Sequence, residues 1–193
     1  VLSVENLAKA YPNQQLFSDI SFEIKRGERV ALIGDNGTGK TTILKIINDM
    51  IEADGGVVKL GTNVNIGYYD QEHQVLHKEK NLMEEISDAY PNLTNTEIRN
   101  VLAAFLFTGD EVFKQIADLS GGEKGRVSLA KLMLSEANFL ILDEPTAGVD
   151  PQERINIRNS ISKLAENRII IIATHIVSDI EAIANEILLM KEG

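Results

Sequence analysis

The sequence contains no cysteine, which excludes disulfide frameworks and thiolate metal sites and fits a reducing compartment, so a cytoplasmic location is expected. Proline is scarce, with four residues in 193. There is neither an internal repeat nor a low-complexity segment, which sets aside disordered, collagen-like and solenoid architectures. Long apolar runs are missing too: Ile169–Thr174 and residues 139–142 are far shorter than the roughly 20 residues a membrane-spanning helix needs. The first residues lack a charged-then-apolar targeting pattern, so work at a membrane would require a span on another chain. Basic charge is in deficit, 19 Lys and Arg against 29 Asp and Glu for a net charge of -10. With a pI near 4.8, this argues against a general nucleic-acid-binding face.

What is present is an ordinary globular composition, 44% apolar and 25% charged. The length suits one domain, or one domain with a small inserted lobe, with no room for a second of the same kind. Residues 2–9 and 20–24 alternate apolar and polar positions, as half-buried antiparallel strands do, around a Pro12-Asn13 turn. An apolar run at 29–33 leads through a glycine-rich loop into a helical pattern over 40–50, and 55–69 reads as two short strands about Gly61. Residues 71–118 are polar and helical and read as an inserted lobe. Within it Thr94 and Glu97 form a capping box, and Gly109 is expected to close that helix. Ser120 and Glu123 cap a helix to Ser135, and Asp150-Pro151 caps another to about Asn167. Buried strands at 139–142 and 169–173, a short helix at 176–184 and a strand at 186–190 complete the pattern. Apolar strands between amphipathic helices imply a parallel sheet covered on both faces.

Gly34-Asp35-Asn36-Gly37-Thr38-Gly39-Lys40-Thr41, followed by Thr42, is a phosphate loop between strand and helix. Its glycines let backbone N–H groups turn onto phosphate oxygens, reinforced by the helix N-terminus. Lys40 would reach the β- and γ-phosphates and Thr41 would offer its hydroxyl to Mg²⁺. The strand 139–142 delivers Asp143 and Glu144 where ligands sit in open α/β sheets. Asp143 suits Mg²⁺, and Glu144 suits an attacking water. Ser120, Gly121, Gly122 and Glu123 make a good helix N-cap and also leave donors for a second anion. His73 and His77 stand at helical i, i+4 spacing without a third ligand, which fits a solvated face.

The ordered set GDNGTGKT, LSGGE, FLILDEPT, Asp150 and His175 resembles the nucleotide-binding domain of the ATP-binding cassette (ABC) superfamily over essentially the whole chain. The resemblance implies a RecA-like α/β core with an antiparallel β lobe (1–70 and 119–193 together) and a helical lobe at 71–118. It also implies a head-to-tail dimer, or pairing with another cassette, in which each ATP lies between one phosphate loop and the other chain's LSGGE. It makes Tyr11 the aromatic that stacks on adenine, and Gln71 the glutamine that touches Mg²⁺ and water. Asp150 becomes the D-loop aspartate, and His175 the histidine that meets the γ-phosphate. The catalytic set is then Glu144, His175 and Lys40, with Thr41, Gln71 and Asp143 at the metal.

The branch within the superfamily divides along the chain. Up to about residue 145, IGYYDQEH and LSGGEKGRVSLAKLML resemble the ABC-F proteins, which act on ribosomes. After Pro145, AGVDP and THIVSD are similar to cassettes that serve membrane permeases. A chimera joined near Pro145 and a divergent natural cassette both account for this. An ATPase and a folded nucleotide-binding module with little turnover both remain open, with ribosome or permease as partner.

Overall fold

The computed structural model describes residues 2–70, 76–181 and 183–191. Strand β1 (Leu2–Tyr11) pairs antiparallel with β2 (Gln14–Ile24) across the Pro12-Asn13 turn and, on its other edge, with β4 (Gly55–Leu60). A second sheet contains β3 (Arg29–Ile33), β5 (Ile66–Asp70), β6 (Phe139–Asp143), β7 (Ile169–Thr174) and β8 (Glu186–Leu189). Its order is β5-β6-β7-β3-β8, and every pairing is parallel. The two strands expected over 55–69 therefore belong to different sheets.

Side-chain alternation explains why the parallel sheet is covered on both faces. From β6 and β7, Phe139, Ile141, Ile169 and Ile171 point toward α1 (Lys40–Ile47) and the antiparallel sheet, joining Leu2, Leu7, Ile24, Ile43 and Leu44. The intervening Leu140, Leu142, Ile170 and Ile172 face the opposite core. That core is built from α2 (Leu82–Ala89), α3 (Asn95–Ala104), α4 (Gly121–Leu134) and α5 (Pro151–Leu164). Residues 76–118 hold α2, α3 and 3-10 turns at Gly109–Phe113 and Ile116–Asp118.

The expected caps on α3 and α4 are present as reciprocal boxes, Thr94 with Glu97 and Ser120 with Glu123. Asp150 caps α5 by accepting from Gln152 N and Glu153 N at 3.0 and 3.1 Å. Two endings differ from expectation. Helix α3 stops at Ala104 rather than at Gly109, because Leu106 adopts a φ of 69° and the Phe107 N–H donates to Leu102 O at 2.9 Å. This Schellman closure is built on a leucine instead of a glycine, and it drives Phe105 and Phe107 into the core. Likewise the described residues of 176–184 form no regular helix: they hold a 3-10 turn at Val177–Asp179, with Asp179 buried.

Parallel register brings the chemistry to one edge. Asp143 is level with Ala173, and Ile33 with Thr174. The loops beginning at Gly34, Glu144 and His175 therefore leave neighbouring strands at the same end of the sheet.

Candidate nucleotide site

Strand β3 ends in the phosphate loop, whose path only glycine permits at two places. A Cβ on Gly34 would lie 2.7 Å from Met190 O and 2.8 Å from Thr38 Oγ1. Gly39 has a φ of 96°, and a Cβ there would meet the Phe17 ring at 2.9 Å. The loop is tied internally through the Asp35 carbonyl, which accepts from Thr38 Oγ1 at 2.9 Å and Lys40 Nζ at 3.1 Å. Lys40 Nζ also donates to Gly34 O at 2.8 Å, and its side chain is only 5% exposed. Gly39 caps α1 without a side-chain acceptor, and no acidic residue stands in the first turn. The helix N-terminus thus keeps its N–H donors and its positive end for an anion.

At the end of β6, Asp143 is buried, with Oδ1 accepting from Thr41 Oγ1 at 3.0 Å and Oδ2 from Tyr68 Oη at 3.2 Å. Burial pushes the Asp143 carboxyl above its ordinary pKa, and the nearby Asp70 and Glu144 charges add to this against the two hydrogen bonds. Burial, followed by the Asp143 and Asp70 charges, likewise raises the Tyr68 hydroxyl, which stays protonated and donates. Thr41 and Asp143 together present two hard oxygen donors, the chemistry that suits Mg²⁺.

Glu144 holds a left-handed backbone, φ 44°, a conformation uncommon for a residue with a Cβ. Its N–H donates to Ala173 O at 2.9 Å, fastening the turn to β7. The side chain then reaches between two groups: Oε1 lies 3.3 Å from Lys40 Nζ and Oε2 2.9 Å from His175 Nδ1. Glu144, Lys40 and His175, remote in sequence, meet at one point beside the phosphate loop.

No hydrogen bond or ion pair among the described residues joins the remaining residues singled out by sequence to this cluster. Tyr11 ends β1, half exposed, with Lys9 Nζ 5.7 Å from its ring centroid. Ser120 and Glu123 bond to one another, and Glu123 also to Lys114 at 3.2 Å; no hydrogen bond among the described residues joins them to residues 34–42. Asp150 serves as the α5 cap. Gln71 and His73 lie outside the described residues. His77 is exposed, as a solvated face expects, and its Nδ1 also lies 2.9 Å from Oε2 of Glu85, whose carboxylate is fully buried and also bound by Lys131 at 2.6 Å.

Sequence reasoning missed three parts of the arrangement. Tyr68 carried a signal, since the period of β5 sets it on the same side as Asp70, but its partner Asp143 is 75 residues away. The buried Arg126–Glu153 pair at 2.9 Å and the Thr146–Asp179 hydrogen bond also join distant segments. Nothing local in the chain announces either.

A parallel sheet whose strand ends carry a phosphate loop, a Thr41–Asp143 pair and a projecting glutamate defines a phosphate-loop nucleotide-binding domain of the α/β type. The family model described as ABC transporter matches residues 17–147, and the chain belongs to that family as an ATP-binding cassette domain. Among curated relatives it is 48% identical over 162 residues to the putative ATP-binding protein YdiF of Bacillus subtilis, covering 83% of this chain and 25% of that protein. It is 36% identical to the probable ATP-binding protein YbiT of Escherichia coli O157:H7, covering 89% and 33%. It is 37% identical to the energy-dependent translational throttle protein EttA of Escherichia coli K12, covering 83% and 30%. The chain thus spans a quarter to a third of these relatives' length. Among the described residues no helix is long and apolar enough to cross a membrane.

Proposed function

We propose that this cassette binds Mg-ATP and hydrolyses it to ADP and phosphate when two cassettes pair head to tail. The observation that carries the reading is Glu144 set between Lys40 and His175, beside a helix N-terminus with uncommitted donors. Backbone N–H groups of Gly37, Gly39 and Lys40 hold the phosphates, with Asp35, Asn36 and Thr38 in the loop and Thr42 in the first turn of α1 completing the ATP-binding set. Lys40 stabilises charge on the β- and γ-phosphates. Thr41 and Asp143 hold Mg²⁺, which when bound neutralises phosphate oxygens. Tyr68 fixes Asp143 from the far side. Glu144 orients water and accepts its proton, while His175 donates to the γ-phosphate.

Tyr11 offers an exposed ring for adenine. Gln71 would serve the metal and the attacking water, the role its resemblance to the glutamine of the family implies. Ser120, Gly121 and Gly122 face the partner cassette's ATP, and Asp150 meets the same partner. The relative named a translational throttle supports a partner in the translation machinery over a permease.

Steady-state phosphate release measured across protein concentration tests the reading. Specific activity rises with concentration if the active unit is a pair, and Glu144→Gln retains nucleotide binding while release falls by orders of magnitude. An activity per chain that is independent of concentration would overturn pairing. A fully active Glu144→Gln variant would overturn the role of Glu144. Co-sedimentation with ribosomes, compared with capture of a permease, decides the partner.

A further inference from the structure

Asp179 is fully buried in the 3-10 turn that follows His175. Its Oδ2 accepts from Thr146 Oγ1, and Thr146 is buried as well, two residues beyond Glu144. Its Oδ1 has no hydrogen-bond partner among the described residues and lies 4.0 Å from Arg158 Nη1. That guanidinium instead donates to Ser178 O at 2.7 Å. The carboxylate therefore ties the Glu144 loop to the His175 turn, and Arg158 ties that turn to helix α5.

For stability alone this is a poor arrangement, because a buried charge that is only partly satisfied is worse than an apolar group of the same shape. What the arrangement supplies is position. The Glu144 loop is pinned to β7 by its own N–H on Ala173 O, 2.9 Å. The His175 turn is pinned at its start by Ile176 N on Thr174 Oγ1, 3.1 Å. Arg158 holds the His175 turn further along, through Ser178 O at 2.7 Å, but none of these bonds joins the two loops to each other. The Thr146–Asp179 bond joins the two loops directly and, with the Glu144–His175 contact, closes a ring through Glu144, His175, Asp179 and Thr146.

We infer that Asp179, acting through Thr146, is a positioning residue that sets the separation and mutual orientation of Glu144 and His175. The inference rests on the roles proposed above for those two residues. It touches neither the phosphate loop nor Lys40, so it predicts an effect on turnover with little effect on nucleotide affinity.

Thr146→Val keeps the shape of the side chain and removes the donor. It lowers kcat on the order of tenfold or more, the scale of a sub-ångström to ångström misplacement of reacting groups, while KM for ATP stays within about twofold. Thr146→Ser, which restores the hydroxyl, recovers most of the loss. Asp179→Asn combined with Thr146→Val is no worse than the more damaging single variant. A second readout is independent of turnover: the His175 ring resonance, assigned with His175→Gln, moves in Thr146→Val toward its position in Glu144→Gln. If the parent releases no phosphate but Thr146→Val still shifts the His175 resonance, the positioning role is upheld and the ATPase reading is overturned. Phosphate release with kcat and resonance both unchanged in Thr146→Val overturns the positioning role. So does a loss of kcat matched by an equal loss of nucleotide affinity, or one that Thr146→Ser fails to recover.

Discussion

The buried ion pair between α4 and α5 gives a quantitative test of how the LSGGE helix is held. Arg126 Nε and Nη2 donate to Glu153 Oε2 and Oε1 at 3.0 and 2.9 Å, a bidentate pair with side chains 6% and 18% exposed. Nη1 donates to Phe105 O at 2.7 Å, and the guanidinium lies 4.6 Å from the Phe107 ring centroid. Glu153→Ala removes the counter-charge and keeps the Cβ that packs against Gly122. It leaves a buried cation with one carbonyl and one ring face, and breaking such pairs costs about 3–5 kcal/mol. The contacts that remain place the loss at the low end, about 3 kcal/mol, out of the roughly 5–15 kcal/mol that stabilises a domain. At about 2–4 °C per kcal/mol for a chain of this size, the melting temperature falls by about 6–12 °C. Urea unfolding followed by far-UV circular dichroism measures the free energy directly, with the slope expected to be unchanged. Arg126→Met together with Glu153→Ala should cost less than the two single losses added, by about 2 kcal/mol, since no unpaired charge remains. A Glu153→Ala loss below about 1 kcal/mol, the range of an exposed pair, or strict additivity in the double variant, would refute the reasoning.

Two further outcomes follow from the geometry. Gly34→Ala, whose Cβ would meet Met190 O at 2.7 Å and Thr38 Oγ1 at 2.8 Å, displaces the loop, so titration with a fluorescent ATP analogue should show binding weakened at least tenfold while the far-UV spectrum stays native. Burial pushes the Glu85 carboxyl up, but hydrogen bonds from Lys131 and His77 outweigh it and hold the pKa below the ordinary glutamate value. Because the folded pKa is the lower one, this stabilisation is present above the ordinary value of about 4.3 and is lost as pH falls through the lowered folded value. Glu85→Gln should therefore reduce stability at neutral pH and flatten the acid limb of the unfolding profile; parallel acid limbs in parent and variant would contradict the assignment.

The parts legible in the sequence are those whose cause is local. Strand β6 announces itself by continuous apolar character, and Gly39 and Lys40 by the loop they complete. Asp150 and Ser120 announce themselves by cap residues at fixed offsets. The parts that were not legible depend on which strands become neighbours. Tyr68 matters because β5 lies beside β6, which places its hydroxyl on Asp143. The end of α3 was misjudged because a glycine stop signal at 109 competes with the burial of Phe105 and Phe107, and burial wins by forcing Leu106 into a left-handed conformation. The suspected join near Pro145 is crossed by the Glu144–His175 contact at 2.9 Å and by the Arg126–Glu153 pair. The site is thus assembled from both sides of that position.

The electrostatics of the strand ends distinguish a site shaped for a ligand from one shaped for stability. Asp143 is buried, and its pKa is raised first by that burial and then further by Asp70 and Glu144. An ionised carboxylate in that position opposes folding at neutral pH, because the unfolded chain offers it water and distance from its neighbours. Selection for packing alone would replace it, as an amide of similar shape accepts from one of the two hydroxyls and donates to the other without carrying a charge. Glu144 adds a left-handed backbone to the same few residues, a second cost with no return in packing. Strained backbone and destabilised charge gather beside a helix N-terminus that keeps its own donors free. That coincidence is what a site for a phosphate and a cation requires, and it supports the proposed nucleotide site by a route that does not pass through any motif.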